Sequence, residues 1–278
     1  MPPSPAPSAP RFDIVGIGNA IVDVVAEADP RFIERHDLNM GSMVLVDEAQ
    51  ADDLYARMGP AIEVSGGSCA NTVAGASALG SRVAFIGKVA SDELGEIFRH
   101  DLTSMGVHFD TPAAVRGPAT ARCLIFVTPD AQRTMATYLG ACVELGPEDI
   151  DTELVAAGRF VYLEGYLWDP PQAKAALRVA IDIAHEAGRK VAMTLSDPFC
   201  VDRHREEFRA LVDGPIDILF ANQVEAEAIA ELKAKGVTVS ECNREAFKER
   251  VRPLWDKFAQ QTPGVKDFLE AARRTEKV

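Results

Sequence analysis

Gly66 and Gly67, followed by Ser68, Cys69, Ala70 and Asn71, place a flexible polar turn directly before a run of small residues that ends at Leu79 and Gly80. Glycines admit backbone angles closed to other residues, and Ser68 suits a helix N-cap. The small side chains from Cys69 to Leu79 predict a helix that can lie close against a sheet. Its first turn would present free backbone N–H groups, with Ser68 and Asn71, to whatever sits above it. The same residues also suit a plain helix cap in a tightly packed core. A second polar turn, Gly16-Ile-Gly-Asn-Ala-Ile-Val-Asp23, follows the apolar run Phe12 to Ile17 and delivers Asn19 and Asp23. A dinucleotide fingerprint needs a glycine where Ile21 stands, so that chemistry is poorly supported.

The elements that must carry these turns show a change of rhythm along the chain. Phe12 to Ile17 and Arg82 to Val89 read as buried strands, and Asp92 to Met105 as a helix with Leu94, Ile97, Phe98, Leu102 and Met105 on one face. Short β-like pieces, Val22 to Glu27 and Ser42 to Asp47, surround predicted helices at Pro30 to Leu38 and Glu48 to Met58. Ala61 to Ser65 alternates as a half-exposed strand does. Thr120 to Thr128 and Arg133 to Leu139 form a β pair across the turn Pro129-Asp130-Ala131-Gln132. Beyond that, strands Phe160 to Leu163, Lys190 to Leu195 and Ile216 to Ala221 alternate with helices Pro171 to Ala187, Phe199 to Val212 and Val224 to Lys235. Such a series makes a parallel sheet covered by helices, with ligands at the carboxyl ends of its strands. Asn19, Glu164, Ser196, Asp197 and Asn222 then share one rim.

The 278 residues can bury a large core, and the apolar and charged fractions, 47% and 26%, are those of an ordinary globular protein. A formal charge of −13 argues against a nucleic-acid partner. Cys69, Cys123, Cys142, Cys200 and Cys242 are widely spaced and odd in number, which points to reduced thiols and a cytoplasmic protein. His36, His100, His108, His185 and His204 form no metal-ligand spacing. The proline-rich residues 1–10 read as a disordered leader, not a signal peptide, and no apolar stretch is long enough to span a bilayer, so no membrane partner is expected.

Several of these pieces occur together: Gly18-Asn19 with Asp23, Ser65-Gly-Gly-Ser-Cys-Ala-Asn71, Ala84-Phe-Ile-Gly-Lys-Val89 with Asp92-Glu-Leu-Gly95, Gln132-Arg-Thr-Met, Tyr138-Leu-Gly-Ala141 and Asn222-Gln-Val-Glu225. In this order they resemble the ribokinase-like (PfkB-type) carbohydrate kinases, and within them the adenosine-kinase-like branch, over about residues 11–231. The resemblance implies a three-layer α/β/α domain with a small β lid, the lid drawn from about 22–65 and 113–139. It also implies phosphorylation of a sugar or nucleoside hydroxyl with ATP and Mg²⁺. Carried over motif by motif, Asp23, Gly66, Gly67, Ser68 and Asn71 resemble the residues that hold the sugar, with Asn19 supporting the turn. A carboxylate and an amide can each engage vicinal hydroxyls. Asn222 and Glu225 resemble the element that organises phosphate, Mg²⁺ and its waters, Glu225 being the metal candidate. Asp197 joins them as a strand-end carboxylate. Each has a plainer reading: Asp23 as a turn residue, Asn222 and Glu225 as a capping box, Asp197 as the cap before Pro198. Related kinases also suggest a homodimer through the lid.

After Glu231 the resemblance ends. The family's late Gly-Ala-Gly-Asp, whose carboxylate takes the proton from the acceptor hydroxyl and whose amides hold the transferring phosphoryl group, is not found; the later glycines are Gly236 and Gly264. The kinase domain therefore reads as C-terminally truncated, and its activity is in doubt. Non-catalytic sugar or nucleoside binding is the alternative. Residues 232–278 read as a helical tail: an amphipathic helix from Asn243 to Phe258, kinked at Pro253, then a second from Pro263 to about Arg274. This segment resembles the C-terminal part of TRAP-type solute receptors. The stripe Phe247, Trp255 and Phe268 is expected to cover the sheet edge that the truncation uncovers.

Overall fold

The structure, a computed structural model, describes residues 9–228, 245–246 and 248–253. β1 (Phe12–Ile17) turns through Gly18 and Asn19 into β2 (Ile21–Glu27). α1 (Pro30–Arg35) is capped by Asp29, β3 (Met43–Leu45) is short and exposed, and α2 (Glu48–Arg57) starts from a capping box of Asp47 and Gln50. β4 (Ala61–Gly66) runs into α3 (Ser68–Ala78), then β5 (Val83–Ile86) and α4 (Glu93–Ser104). After β6 (Val107–His108), β7 (Ala121–Val127) and β8 (Arg133–Tyr138) make a hairpin. α5 (Thr152–Ala156) leads to β9 (Gly158–Glu164), and α6 (Pro171–Glu186), β10 (Lys190–Thr194), α7 (Pro198–Asp213), β11 (Ile218–Phe220) and α8 (Gln223–Ala228) follow.

Two sheets result. The six-stranded one has the order β11-β10-β9-β1-β5-β6 and is parallel at every pairing. α3 and α4 pack on the face that carries Val83 and Phe85, and α6 packs on β9 and β10, giving the three-layer α/β/α domain. The five-stranded sheet is the lid, in the order β3-β8-β7-β2-β4, with β2–β4 and β7–β8 antiparallel and β2–β7 and β3–β8 parallel. Alternation in β2 divides the lid's faces. Val22, Val24 and Ala26 are buried in a core shared with Ile33 of α1 and Leu54 of α2, while Asp23 and Val25 are only half-buried.

Close packing explains the small residues around the first turn. A Cβ on Gly16 would lie 2.7 Å from Val73 Cγ1 and 2.8 Å from Cys69 Sγ, so α3 rests directly on β1. Behind it, the rings of Phe85, Phe98 and Phe109 meet at centroid separations of 5.8, 5.6 and 5.5 Å, all fully buried. At the other end of the rim, α7 departs from helical geometry at His204, whose Nε2 lies 2.6 Å from the Asp169 carboxylate.

Element boundaries depart from expectation in a few places. Gly67, not Ser68, is the N-cap of α3, because its φ of 90° turns the chain there and leaves Ser68 as the first helical residue. The sequence reading omitted β6 and α5, both too short to show a period. Chain packing divides the protein into Met1–Ala230 and Glu231–Val278. In the second unit, residues 245–246 and 248–253 are helical, within the span expected for the first tail helix. The covering stripe of Phe247, Trp255 and Phe268, the helix from Pro263, and most of the leader lie outside the described residues.

Candidate functional site

The chain passes between body and lid four times, at β1 to β2, β4 to α3, β6 to β7, and β8 to the segment before β9. The first two crossings carry Asn19 and Gly66 to Asn71, and both converge on Glu164 at the carboxyl end of β9. Glu164 is 1% exposed. Its Oε2 accepts from the Asn19 backbone N–H at 2.6 Å and from Asn19 Nδ2 at 2.9 Å. Its Oε1 accepts from the Ser68 hydroxyl and from the Cys69 N–H at 3.3 Å. Burial pushes this carboxyl above its ordinary range, and the hydrogen bonds from Asn19, Ser68 and Cys69 pull it back. Burial also raises the Cys69 thiol beside it, so Cys69 is a packing residue, not a nucleophile.

Asp23 stands one strand turn beyond, opposite Val64 on β4 and Cys123 on β7. Burial lifts its carboxyl to about 6, with Arg133 opposing weakly. No hydrogen bond to its oxygens occurs among the described residues. Gly66 is so close that a Cβ there would overlap the Asp23 carboxylate, and a Cβ on Gly67 would lie 2.5 Å from the Asn19 carbonyl oxygen. Glycine is thus required twice, once by contact and once by a positive φ as well. Asn71 is exposed on the first turn of α3.

Strand register connects Asp23 to a cavity. Asp23 faces Cys123, Cys123 faces Thr137, and Thr137 faces Leu45, so the four make one row across the lid. Thr137 Oγ1 lies 3.2 Å from Cys123 Sγ, which confirms that they share a face. At the far end of the row is a cavity of about 260 Å³ lined chiefly by Leu45, Pro118, Thr137, Tyr138, Leu139 and Val143. With strands about 4.8 Å apart, Thr137 sits roughly 10 Å from Asp23 across the sheet. Cys123, its thiol raised by burial to about 11, stays protonated between them.

On the other side of β1, β10 and β11 bring Asp197, Asn222 and Glu225 to the same rim, with β11 about 14 Å from β1 by strand spacing. Asn222 and Glu225 cap each other: the Asn222 N–H donates to Glu225 Oε2 at 3.1 Å, Asn222 Nδ2 donates to Oε1 at 2.6 Å, and the Glu225 N–H donates to Asn222 Oδ1 at 2.9 Å. Asp197 caps α7, accepting from the Cys200 N–H at 2.6 Å. Ser196 before it has a φ of 72°, and its hydroxyl accepts from the Tyr166 N–H at 3.2 Å. Among the described residues no three carboxylate, imidazole or thiol groups cluster as a metal cage. The donor set nevertheless fits a Mg²⁺ that keeps its waters. The oxygens of Glu225 and Asp197 retain lone pairs, and such an ion is held by one or two carboxylates and by phosphates.

The structure therefore gathers Asn19, Asp23, Gly66, Gly67, Ser68 and Asn71 at one end of the rim and Asn222, Glu225 and Asp197 at the other. Sequence reasoning placed Glu164 on the rim without a role; a strand-final Glu after an apolar run was the available signal. The cavity residues had none, since they meet only through strand pairing.

A parallel sheet between helices, roofed by a mixed sheet that holds an unpaired carboxylate over a double-glycine turn, defines a ribokinase-like fold. Residues 45–252 match the family described as pfkB family carbohydrate kinase, and the chain belongs to that family, in its adenosine-kinase-like branch. It is similar to the crystal structure of adenosine kinase from Sinorhizobium meliloti, with 51% identity, a TM-score of 0.73, and coverage of 87% of this chain and 72% of that one. A probable sugar kinase protein from Rhizobium etli CFN 42 aligns at 46% identity and a TM-score of 0.74, covering 89% and 72%. Guanosine-inosine kinase from Escherichia coli (strain K12) is 27% identical over 228 residues, 78% of this chain and 52% of that protein. The chain thus spans about half the length of that curated relative.

Proposed function

We propose that this protein binds a ribonucleoside between body and lid, as the acceptor-binding part of an ATP-dependent nucleoside kinase. The observation that carries the reading is the row from Asp23 to the cavity at Leu45 and Leu139. A free carboxylate suited to a pair of vicinal hydroxyls lies about one nucleoside length from an apolar slot suited to a planar base. A simple sugar would fill only the Asp23 end.

The residues divide the work by position. Asp23 accepts hydrogen bonds from the ribose hydroxyls, Asn71 and the N–H groups at the start of α3 bind the sugar's remaining oxygens, and Gly66 and Gly67 let backbone and carboxylate approach it. Closing the lid over the sugar excludes water. The names of its relatives, adenosine kinase and guanosine-inosine kinase, support a purine nucleoside as acceptor. ATP would lie toward β10 and β11, where Asn222, Glu225 and Asp197 are available for its phosphates and for Mg²⁺, which when bound would offset phosphate charge. The base that takes the hydroxyl proton is not assigned among the described residues. Three further readings accompany this one. The buried free thiols Cys69, Cys123, Cys142 and Cys200 support a reducing, cytoplasmic setting. The exposed apolar residues Met43, Leu45, Ile62 and Val64 support a homodimer through the lid. The charge of −13 supports partners that are small molecules and not nucleic acid. Among the described residues no helix is long and apolar enough to cross a membrane.

Calorimetry with adenosine, guanosine, inosine, 2′-deoxyadenosine and ribose tests the proposal. Ribonucleosides should bind, ribose and the deoxynucleoside should bind more weakly, and Asp23→Ala should weaken ribonucleoside binding by at least about tenfold. No nucleoside binding, or indifference to Asp23→Ala, overturns it. A coupled ADP-release assay then separates the two fates of a bound nucleoside. Turnover establishes a kinase, and binding without turnover establishes a nucleoside-binding protein.

A further inference from the structure

We infer that Glu164 is a positioning residue that holds the acceptor site in shape by clamping both of the chain crossings that carry it. The inference rests on the nucleoside-binding reading above. A buried carboxylate is costly unless its hydrogen bonds are complete, and where it is kept, the groups that complete them indicate its role. Here every hydrogen bond to Glu164 among the described residues comes from two short segments. Asn19 donates twice from the β1–β2 crossing, and Ser68 and Cys69 donate from the β4–α3 crossing. Glu164 itself belongs to a third element, the end of β9, which pairs with β1 on one side and β10 on the other. One side chain thus fastens both crossings to the parallel sheet.

What the clamp positions is the sugar cradle. Asn19 precedes Asp23 by one short stretch of β2, and its carbonyl oxygen fixes the only room available to Gly67. Ser68 and Cys69 open the helix that carries Asn71. By contrast, the other two crossings are tied without Glu164. Asp92 accepts from the Thr120 N–H at 2.8 Å and from its hydroxyl at 2.6 Å, and the Ala141 N–H donates to the Ala119 carbonyl at 2.8 Å. The lid therefore has two separate sets of fastenings. On the acceptor side Glu164 is the side chain that joins both crossings, beside single bonds from the Gly18 N–H to the Ile86 carbonyl at 3.2 Å and from the Ser65 N–H to Asp101 Oδ2 at 3.0 Å. Ser68 gives its hydroxyl proton to that carboxylate in this state, so its part in holding the sugar is first to fix the helix start.

Substitution distinguishes this role from general support of the fold. Glu164→Ala leaves the Asn19 and Cys69 N–H groups without a partner, whereas Glu164→Gln keeps the acceptor for Asn19, lets the Ser68 hydroxyl rotate to accept from the new amide, and loses only the 3.3 Å bond from the Cys69 N–H. Hydrogen exchange of the full chain is the first measurement. Peptides spanning residues 17–21 and 66–72 should lose protection together in Glu164→Ala, while peptides spanning 118–121 and 139–142 keep theirs. The second is nucleoside affinity under conditions where each variant is folded. Glu164→Ala should weaken adenosine binding by at least about tenfold and Glu164→Gln by less than about fivefold. Phe208→Leu, a change of a fully buried ring in α7 that removes no hydrogen bond of the two acceptor-side crossings, is the control: its affinity should be unchanged at a similar loss of stability.

Unchanged protection at both acceptor-side segments, or protection lost equally at all four crossings, overturns the clamp whatever the protein binds. So does an affinity loss in Phe208→Leu equal to that in Glu164→Ala. If the protection pattern appears but wild-type protein binds no nucleoside, the clamp stands and the nucleoside reading falls. Should Glu164→Ala fail to fold, the exchange pattern of Glu164→Gln decides. The Cys69 N–H loses its acceptor there, so protection should fall at 66–72 and hold at 118–121 and 139–142, and protection unchanged at 66–72 or lost equally at all four crossings refutes the inference.

Discussion

Replacing Asp23 by Asn should stabilise the protein at neutral pH while removing its acceptor site. Burial lifts the Asp23 carboxyl from 3.8 to about 6, because the half-buried group between Val64 and Cys123 loses solvent and gains no hydrogen bond in return. A shift of roughly two pKa units corresponds to about 3 kcal/mol at full strength, and partial solvent contact reduces this to about 1–2 kcal/mol. The sign follows from linkage. Folding raises this pKa, so the wild type carries no penalty below about pH 4, loses stability as the pH climbs through about 6, and stays at the lower level above about pH 7. Asparagine never ionises, so the variant lacks that loss. Denaturant unfolding of both proteins between about pH 4 and pH 8 should give equal stabilities at the acid end and an advantage of about 1–2 kcal/mol for Asp23→Asn at the alkaline end. For a body of this size that is about 3–6 °C in Tm. Other titrating groups, Glu164 included, are common to both chains and cancel in the difference. An Asn variant no more stable than wild type at about pH 8, or a gap that does not change with pH, would refute the claim that Asp23 is desolvated and unpaired. A gain in stability on removing a charge from a binding site is what a strained functional group predicts.

The same carboxyl should govern binding: if the ionised form receives the ribose hydroxyls, nucleoside affinity measured by calorimetry falls by about tenfold per pH unit below about pH 5.5 and is flat above about pH 7. Gly67→Ala forces a side chain into a φ of 90° and against the Asn19 carbonyl, and should cost about 1–3 kcal/mol in urea unfolding together with a loss of nucleoside binding. Asp92→Ala removes the cap from the Gly95 N–H and both bonds to Thr120, and should destabilise the protein by about 2–3 kcal/mol while leaving exchange protection at 66–72 intact.

Asp92-Glu-Leu-Gly95 shows how a sequence motif acquires a physical reason. The spacing was visible, but not that Gly95 must be bare because a Cβ there would strike the Ala90 carbonyl, nor that Asp92 reaches across to the start of β7. Asn222 and Glu225 are the converse. The three-residue spacing offered both a metal-side pair and a capping box, and the fold contains the capping box in full.

Local chemistry was enough to determine the alternation of strands and helices from Phe160 onward, the glycine turn before α3, the carboxyl-end rim and the family, because each depends on residue type at short range: apolar period, glycine freedom, cap spacing. Tertiary structure alone decided that Glu164 joins two distant crossings, that Asp23 has no hydrogen-bond partner among the described residues, and that Leu45, Thr137 and Asp23 fall in one row. Those facts depend on strand register and on which strands become neighbours. A one-residue slip in β8 would turn Thr137 to the opposite face with no change in any local preference.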